Sequence, residues 1–162
     1  MEMDAVIDPT GRYRYTLWRS WRSGSTVGFI MLNPSTADYR QNDPTIRRCI
    51  SFAQAWGYGS LEVVNLFAYR TAYPRQLKQV TDPTGVENDR CLEAAVRRAE
   101  AVILAWGNWG GLYRRDRTVL KLLAPYQSKL YCLDRNQSGH PRHLLYVKGT
   151  VRPTPYVFLP QV

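Results

Sequence analysis

Hydrophobic and polar positions along the chain follow the pattern of an α/β protein. Residues 26–32 form an apolar run, TVGFIML, of the kind found in strands that are buried on both faces of a parallel sheet. Comparable runs at 61–67, 101–106 and 129–133 predict three more strands. Residues 11–21 alternate in part between apolar and polar side chains, which predicts an additional strand ahead of these four.

Helical patterns lie between the predicted strands. Asp43 and Pro44 are typical of a helix start, an N-cap residue followed by a first-turn proline, and apolar residues at helical spacing continue to Trp56. Further helices are predicted over 86–99 and 115–123. The predicted order is therefore a strand followed by βαβαβαβ, which is typical of a parallel sheet with helices on both faces.

This order indicates the α/β fold class. We expect one domain over residues 1–162, with a three-layer α/β/α arrangement, a four-stranded parallel central sheet and an N-terminal strand or hairpin. Residues 151–162 contain three prolines, so this tail is expected to be irregular or an edge segment.

Composition narrows the class of protein. The chain has 162 residues, of which 44% are hydrophobic, and a mean hydropathy of −0.39, as expected for a soluble globular protein. No apolar run approaches the roughly 20 residues of a membrane helix. The acidic N-terminus, MEMD, lacks the layout of a secretory signal, so we expect a cytoplasmic protein without a membrane partner. Three scattered cysteines without a CxxC motif predict reduced thiols and neither a metal nor a cofactor.

The net charge of +9 indicates an acidic partner. Arginine is the main cation, and it donates two parallel hydrogen bonds to phosphate. Five tryptophans and eleven tyrosines supply rings that can stack on bases. We therefore expect nucleic acid as the partner; the alternative is a basic surface that only aids solubility. The arginines expected to contact the nucleic-acid backbone are Arg47, Arg48, Arg70, Arg114 and Arg115.

Polar residues follow each predicted central strand. The first strand leads to Asn33, the second to Asn65 and Tyr69, the third to Trp106 and the fourth to residues 140–143. Because the carboxyl ends of parallel strands meet at one edge of a sheet, we expect these residues to share a site. Each of them alone is also compatible with an ordinary turn or loop. A glycine-rich phosphate loop and a serine nucleophile elbow are both absent from the sequence.

Segments at these strand ends resemble the uracil-DNA glycosylase superfamily. MLNPS at 31–35 resembles the Gly-x-Asn-Pro-Gly motif of the mismatch-specific branch, and VNLFAYRT at 64–71 resembles that branch's Thr-Asn-hydrophobic-Val-x-Arg-Thr segment. VILAWG at 102–107 resembles a strand of the uracil-specific enzymes, and GHP at 139–141 resembles their His-Pro-Ser-Pro-Leu loop. The resemblance spans residues 27–146. Through NPSTA, DPTIRR, VNLFA and GHPRH, the whole chain is also similar to a bacterial and phage family known only as a domain of unknown function.

The superfamily resemblance implies hydrolysis of the N-glycosidic bond of a flipped base. It implies that Asn33 holds the attacking water and that His140 stabilises the departing base anion. Asp38 is the acidic residue that we expect nearest the site, and Asn65 offers the donor and the acceptor needed to read a base edge. Further residues expected to bind the substrate are Pro34, Ser35, Tyr69, Trp106, Arg142 and His143.

Two departures from the superfamily motifs bear on the base that is recognised. Ser35 stands where the uracil-specific enzymes have a bulky tyrosine that excludes thymine, and Arg142 with His143 replaces Ser-Pro in the other loop. A wider and more polar pocket favours a 5-substituted pyrimidine over uracil, unless Tyr39 or Tyr69 fills the space. The main expectation is therefore a DNA glycosylase for a modified base. The alternatives are a non-catalytic nucleic-acid or nucleotide-binding module and an enzyme that hydrolyses or transfers free nucleosides.

Overall fold

The computed structural model describes residues 1–158, and its central feature is one seven-stranded mixed sheet. The strands are β1 (Glu2–Ile7), β2 (Arg14–Ser20), β3 (Thr26–Met31), β4 (Ser60–Asn65), β5 (Ala101–Leu104), β6 (Leu130–Cys132) and β7 (Thr154–Pro155). Their order across the sheet is β1-β2-β4-β3-β5-β6-β7. Strands β4, β3, β5 and β6 are mutually parallel, and the antiparallel strands β1, β2 and β7 lie outside them.

The seven-stranded sheet is larger than the predicted four-stranded parallel sheet with an N-terminal strand or hairpin. β1 was missed because its pattern is weak: its residues alternate between exposed and half-buried, and none is fully buried. It forms an antiparallel hairpin with β2, from Glu2 opposite Ser20 to Ile7 opposite Arg14. At the other edge, the two residues of β7 pair with β6, so the tail supplies an edge segment, as predicted. Residues 159–162 of that predicted tail lie outside the described part of the chain.

Three α-helices follow the predicted order, α1 (Pro44–Ala55), α2 (Asn88–Arg98) and α3 (Arg115–Leu122). Short 3-10 segments lie at 74–78, 108–114, 124–129 and 144–146. Adjacent residues of β3 point to opposite faces of the sheet: Phe29 packs in the apolar cluster that contains the buried face of α1, and Ile30 in the cluster that contains α2 and α3. Both faces of the parallel strands are therefore covered, which explains their continuous apolar runs.

The start of α1 is built as the sequence predicted. Oδ1 of Asp43 accepts a hydrogen bond from the backbone N–H of Ile46 at 2.9 Å, and Pro44 occupies the first turn. The helix ends at Ala55, and Gly57 follows with a φ of 88°, a value that glycine adopts without strain. The cap fixes where α1 begins, next to the carboxyl end of β3.

Cys49 and Cys132 are buried and Cys91 is half-buried, and all three are free thiols. Within residues 1–158, each helix is too short or too polar to span a bilayer.

Candidate functional site

A cavity of about 760 Å³ opens at the carboxyl ends of the four parallel strands. The segments that follow β3, β4, β5 and β6 all contribute to its lining, in the position where ligand sites of parallel sheets generally lie. The structure thus brings together most of the residues predicted for the site. Those that line the cavity are Asn33, Pro34, Ser35, Asn65, Trp106, Arg142 and His143.

The side-chain amide of Asn33 is held in one orientation. Its Nδ2 donates hydrogen bonds to the backbone carbonyl oxygens of Thr71, at 2.7 Å, and of Pro34, at 3.0 Å. Since both neighbours are acceptors, the amide nitrogen and not the oxygen must face them. Oδ1 of Asn33 accepts no hydrogen bond from the side chains or backbone of residues 1–158 and is left as an acceptor for a water molecule or a ligand.

Asn65 ends β4 and is only 1% exposed. Neither its Oδ1 nor its Nδ2 has a hydrogen-bond partner among the described residues. Leaving buried polar groups unpaired typically costs about 1–3 kcal/mol each. An amide kept unpaired at the wall of a cavity is a binding group for a ligand that presents both a donor and an acceptor.

Two buried side chains fix the backbone beside Asn65. Nδ2 of Asn88 donates to the carbonyl oxygens of Asn65 and Leu66, at 2.9 and 3.0 Å, and Nε of Arg115 donates to that of Leu66 at 2.7 Å. Arg115 also pairs with Asp89 at 2.6 Å. We expected Arg115 to contact the nucleic-acid backbone, but the structure buries it and uses it to hold the end of β4.

Three arginines hold the loop between β3 and α1 by donating to its backbone carbonyl oxygens. Arg19, which is fully buried, donates to two of these oxygens, Arg70 to two others and Arg14 to one. The forked guanidinium suits this task because it carries five N–H donors. Arg70 was predicted to contact nucleic acid; its side chain instead donates to two carbonyl oxygens of the loop that contains Asn33 and to the carbonyl oxygen of Gly11.

Arg14 is a buried lining residue that the sequence prediction missed. Partial alternation along β2 suggested one apolar and one polar face, whereas Arg14 and the three residues after it are all buried, because β2 lies inside the sheet between β1 and β4. Burial lowers the pKa of Arg14 to about 10, an effect that Asp43 partly opposes. The guanidinium therefore stays charged at neutral pH inside the cavity.

Asp43 and His143 add a carboxylate and an imidazole to the lining. The two oxygens of Asp43 accept hydrogen bonds from the backbone N–H groups of Ile46 and Ala37, at 2.9 and 3.2 Å. Nδ1 of His143 accepts the N–H of Leu145 at 3.2 Å, so the neutral ring carries its proton on Nε2. Burial lowers the pKa of His143, an effect that Asp43 partly offsets. The ring is therefore neutral at pH 7, and its Nε2–H is a hydrogen-bond donor.

His140, the predicted donor to the departing base, is not among the lining residues. Its Nδ1 accepts a 3.3 Å hydrogen bond from Nε1 of Trp106, and a carboxylate oxygen of Asp116 lies 3.8 Å from the same nitrogen. Gly110 packs on the indole so closely that an added Cβ would lie 2.1 Å from a ring carbon of Trp106. The structure thus places His140 in a contact that orients Trp106, and the imidazole in the lining belongs to His143.

Asp38, the predicted acidic residue of the site, is likewise absent from the lining. Its Oδ1 accepts the backbone N–H groups of Arg40 and Gln41, at 2.8 and 2.9 Å, as in a local turn closed by an aspartate. These hydrogen bonds lower the pKa of Asp38. The carboxylate that faces the cavity is that of Asp43.

The tyrosines that were candidates to fill the space beside Ser35 lie elsewhere. Tyr69 packs edge-on against Tyr13, with ring centres 5.9 Å apart, and Tyr39 is 49% exposed. Neither belongs to the cavity lining, which includes Ser35. Tyr69 was predicted to bind substrate, and its place in the structure is beside Tyr13.

The other arginines predicted to bind nucleic acid or substrate differ in how exposed their side chains are and in how many protein groups they contact. Arg47 and Arg114 are exposed. Arg48 lies over the ring of Phe52, 4.9 Å from its centre, and donates to a backbone carbonyl. Arg142 is a lining residue, and its guanidinium donates to Asn136 at 3.0 Å and to a carboxylate at 3.3 Å. Arg47 and Arg114 are therefore the best placed of the predicted set to meet phosphate.

A second groove, of about 550 Å³, adjoins the cavity and shares Pro74 and Trp109 with it. Tyr73, which is 68% exposed, and Arg75 line this groove. Nζ of Lys78 lies 5.1 Å from the centre of the Trp109 ring. The groove therefore combines an exposed tyrosine ring and a half-buried tryptophan ring with cations directly beside the cavity.

The fold and the cavity define an α/β protein with a candidate ligand site at the carboxyl edge of its parallel strands. The family model described as "Protein of unknown function (DUF1643)" matches residues 14–145, so the chain belongs to this family. The matched range contains every lining residue of the cavity except Tyr146. Comparison with curated proteins gave no match, and comparison with solved structures gave none.

Proposed function

We propose that this protein is a nucleobase glycosylase that acts on nucleic acid, DNA rather than RNA, and releases a 5-substituted pyrimidine by hydrolysis. The observation that carries the proposal is the buried, unpartnered amide of Asn65 in the wall of the cavity. A uracil-type base presents an acceptor next to an N–H donor on its pairing edge, and one amide can satisfy both. The uracil-DNA glycosylase-like, three-layer arrangement suggested by the sequence belongs to this proposal.

The chemistry assigns roles to three polar lining residues, Asn33, Asp43 and His143. Oδ1 of Asn33 holds a water molecule whose oxygen bonds to the sugar C1′ while the C1′–N1 bond breaks and its electron pair leaves with the base. Asp43 accepts the proton that the water loses, and this proton passes to the released base. Nε2–H of His143 donates to the base oxygen that gains negative charge. Asp43 and His143 thus take the roles first expected of Asp38 and His140.

Three further observations support a modified base in a polymer. The cavity volume falls within the range of about 300–1,000 Å³ that suits drug-sized ligands, so it has room for a base that carries a substituent. The space beside Ser35 is not filled by Tyr39 or Tyr69. The adjoining groove offers rings and cations for a flanking nucleotide, which favours a polynucleotide over a free nucleoside.

A second candidate function is a binding module that holds an extruded base without releasing it. The position of His140 favours this alternative, because the histidine that the superfamily resemblance assigns to catalysis bonds to Trp106 instead of lining the cavity.

Oligonucleotides that carry a panel of modified pyrimidines test the proposal, with alkali-labile abasic sites as the measure of base release. We expect the wild-type protein to release at least one 5-substituted pyrimidine faster than uracil. Asn33→Ala should slow release by about 100- to 1,000-fold while oligonucleotide binding stays nearly unchanged. Thr36→Ala, at an exposed residue of the same loop that does not line the cavity, is the control. Binding without any release would establish the binding module instead.

A further inference from the structure

We propose that Arg14 is the binding site for an anionic oxygen group, a carboxylate or a phosphate, carried by the ligand of the cavity. The inference rests on the proposed function only in taking that ligand to be a pyrimidine base or its nucleotide. Arg14 lines the cavity and is 2% exposed. Residues 1–158 offer it no carboxylate oxygen within 4.0 Å. Buried charges in proteins are normally paired, and Arg14 makes no direct ion pair within the described residues.

Comparison with the other buried arginines shows how unusual this arrangement is. Arg19 makes five hydrogen bonds through all three of its nitrogens, and Arg115 donates to a carbonyl oxygen and pairs with Asp89. Arg14 donates one side-chain hydrogen bond, from Nη1 to the carbonyl oxygen of Ala37 at 3.1 Å, and its Nε has no partner among the described residues. If Arg14 served only to hold the loop, we would expect all of its guanidinium nitrogens to donate hydrogen bonds to protein groups, as those of Arg19 do.

No carboxylate of the described residues contacts Arg14. Asp43 favours its charged form from beyond 4.0 Å, and each carboxylate oxygen of Asp43 accepts a backbone N–H group instead. Arg142, the other arginine of the lining, is 42% exposed at its side chain and already faces Asp134. Arg14 is therefore the buried cation with donors to spare, and planar guanidinium groups bind carboxylate and phosphate especially well.

Asn65 indicates what the anionic group is attached to. Its unpartnered amide is suited to a base edge, and it lines the same cavity as Arg14. A ligand that satisfies both residues carries an amide-like edge and an anionic oxygen group. Two sources meet this description, an acidic substituent on the base and the phosphate of the nucleotide.

Calorimetric titration of the full chain in phosphate-free buffer distinguishes an acidic substituent on the base from the phosphate of the nucleotide. The probes form two pairs, uracil with uracil-5-carboxylate and uridine with uridine 5′-monophosphate. We expect the anionic member of one pair to bind at least about tenfold tighter than its neutral partner, since a hydrogen bond to a charged group corresponds to about a 10- to 100-fold change in affinity. Arg14→Met should abolish that preference and leave binding of the neutral probe within about threefold. Arg117→Met, at an exposed arginine outside the cavity lining, should retain it.

Three outcomes would overturn the inference: equal affinity within both pairs, a preference that survives in Arg14→Met, or no binding of any probe at millimolar concentration. If Arg14→Met does not fold, the wild-type protein decides the matter. Inorganic phosphate must then displace the anionic probe and leave the neutral probe bound, and failure to do so rejects the anion site. These measurements need no base release, so a protein that releases no base can still confirm the anion site, and an active glycosylase can still lack it.

Discussion

The indole nitrogen of Trp106 donates a 3.3 Å hydrogen bond to Nδ1 of His140. This contact uses the imidazole to fix a buried ring that lines the cavity, and it leaves His140 itself outside the lining. His143, in the same loop, lines the cavity and accepts the N–H of Leu145, so its free nitrogen carries the proton. The two histidines of the chain therefore have different positions, one held against Trp106 and one facing the cavity.

The first prediction separates the roles of the two histidines by mutation. His143→Ala should slow base release by about 100- to 1,000-fold, because it removes the donor proposed to stabilise the departing base. His140→Ala should slow release by less than about tenfold, because it loosens Trp106 without removing a group that touches the base. Single-turnover rates on the best substrate of the panel measure both effects. The reverse order of the two effects would restore His140 as the catalytic histidine.

Much of the fold followed from the sequence because its strongest signals are local. The apolar runs that form β3 to β6 are continuous because helices cover both faces of these strands. The start of α1 was predictable because Asp43 and Pro44 are residues typical of a helix N-terminus. β1 could not be predicted from its own residues, because its half-buried alternation is weak and its partner β2 lies beyond a turn. Pairing of this kind depends on the shape of the finished sheet.

The candidate site was predictable for the asparagines and less so for the charged residues. Asn33 and Asn65 follow directly after buried strands, so their position follows from strand direction alone. Asp43 was interpreted as a helix cap, which is correct, but α1 begins at the cavity, so the cap is also a lining residue. For Arg14, no local pattern distinguishes a buried cation on an inner strand from an exposed one on an edge strand.

The second prediction concerns the free energy that the fold loses by burying the Asn65 amide without hydrogen-bond partners. Asn65→Leu should raise the free energy of unfolding by about 1 kcal/mol or more, because it removes buried polar atoms that lack partners. The same change should abolish ligand binding. Asn88→Leu is the matched control at a second buried asparagine; it should lower the free energy of unfolding, since it loses two hydrogen bonds to backbone carbonyl oxygens. Urea unfolding measures both variants, and a destabilised Asn65→Leu would show that the amide serves the fold.

The third prediction concerns the groove beside the cavity. Trp109→Ala should weaken binding of a single-stranded oligonucleotide by about 1–3 kcal/mol, the usual value of one base stacked on an aromatic ring. Tyr126→Ala is the control, because Lys129 lies 5.6 Å from the Tyr126 ring much as Lys78 lies 5.1 Å from Trp109, but at the opposite, amino-terminal end of β6. Fluorescence anisotropy over a salt series measures affinity, which should fall as salt rises. Equal losses in the two variants would remove the groove from the binding surface.

The fourth prediction concerns the space beside Ser35. Ser35 lines the cavity, and neither Tyr39 nor Tyr69 closes the wall there, so Ser35→Tyr should restore the barrier to groups at the pyrimidine 5-position. We expect the ratio of excision rates, 5-substituted pyrimidine over uracil, to fall by at least about tenfold, within the range that steric exclusion from a pocket achieves. Thr36→Tyr is the control, because Thr36 is the exposed neighbour and does not line the cavity. The ratio should stay unchanged in that variant. If the wild-type protein excises uracil faster than every 5-substituted pyrimidine, the pocket is closed by another group, and Ser35 does not determine which base is accepted.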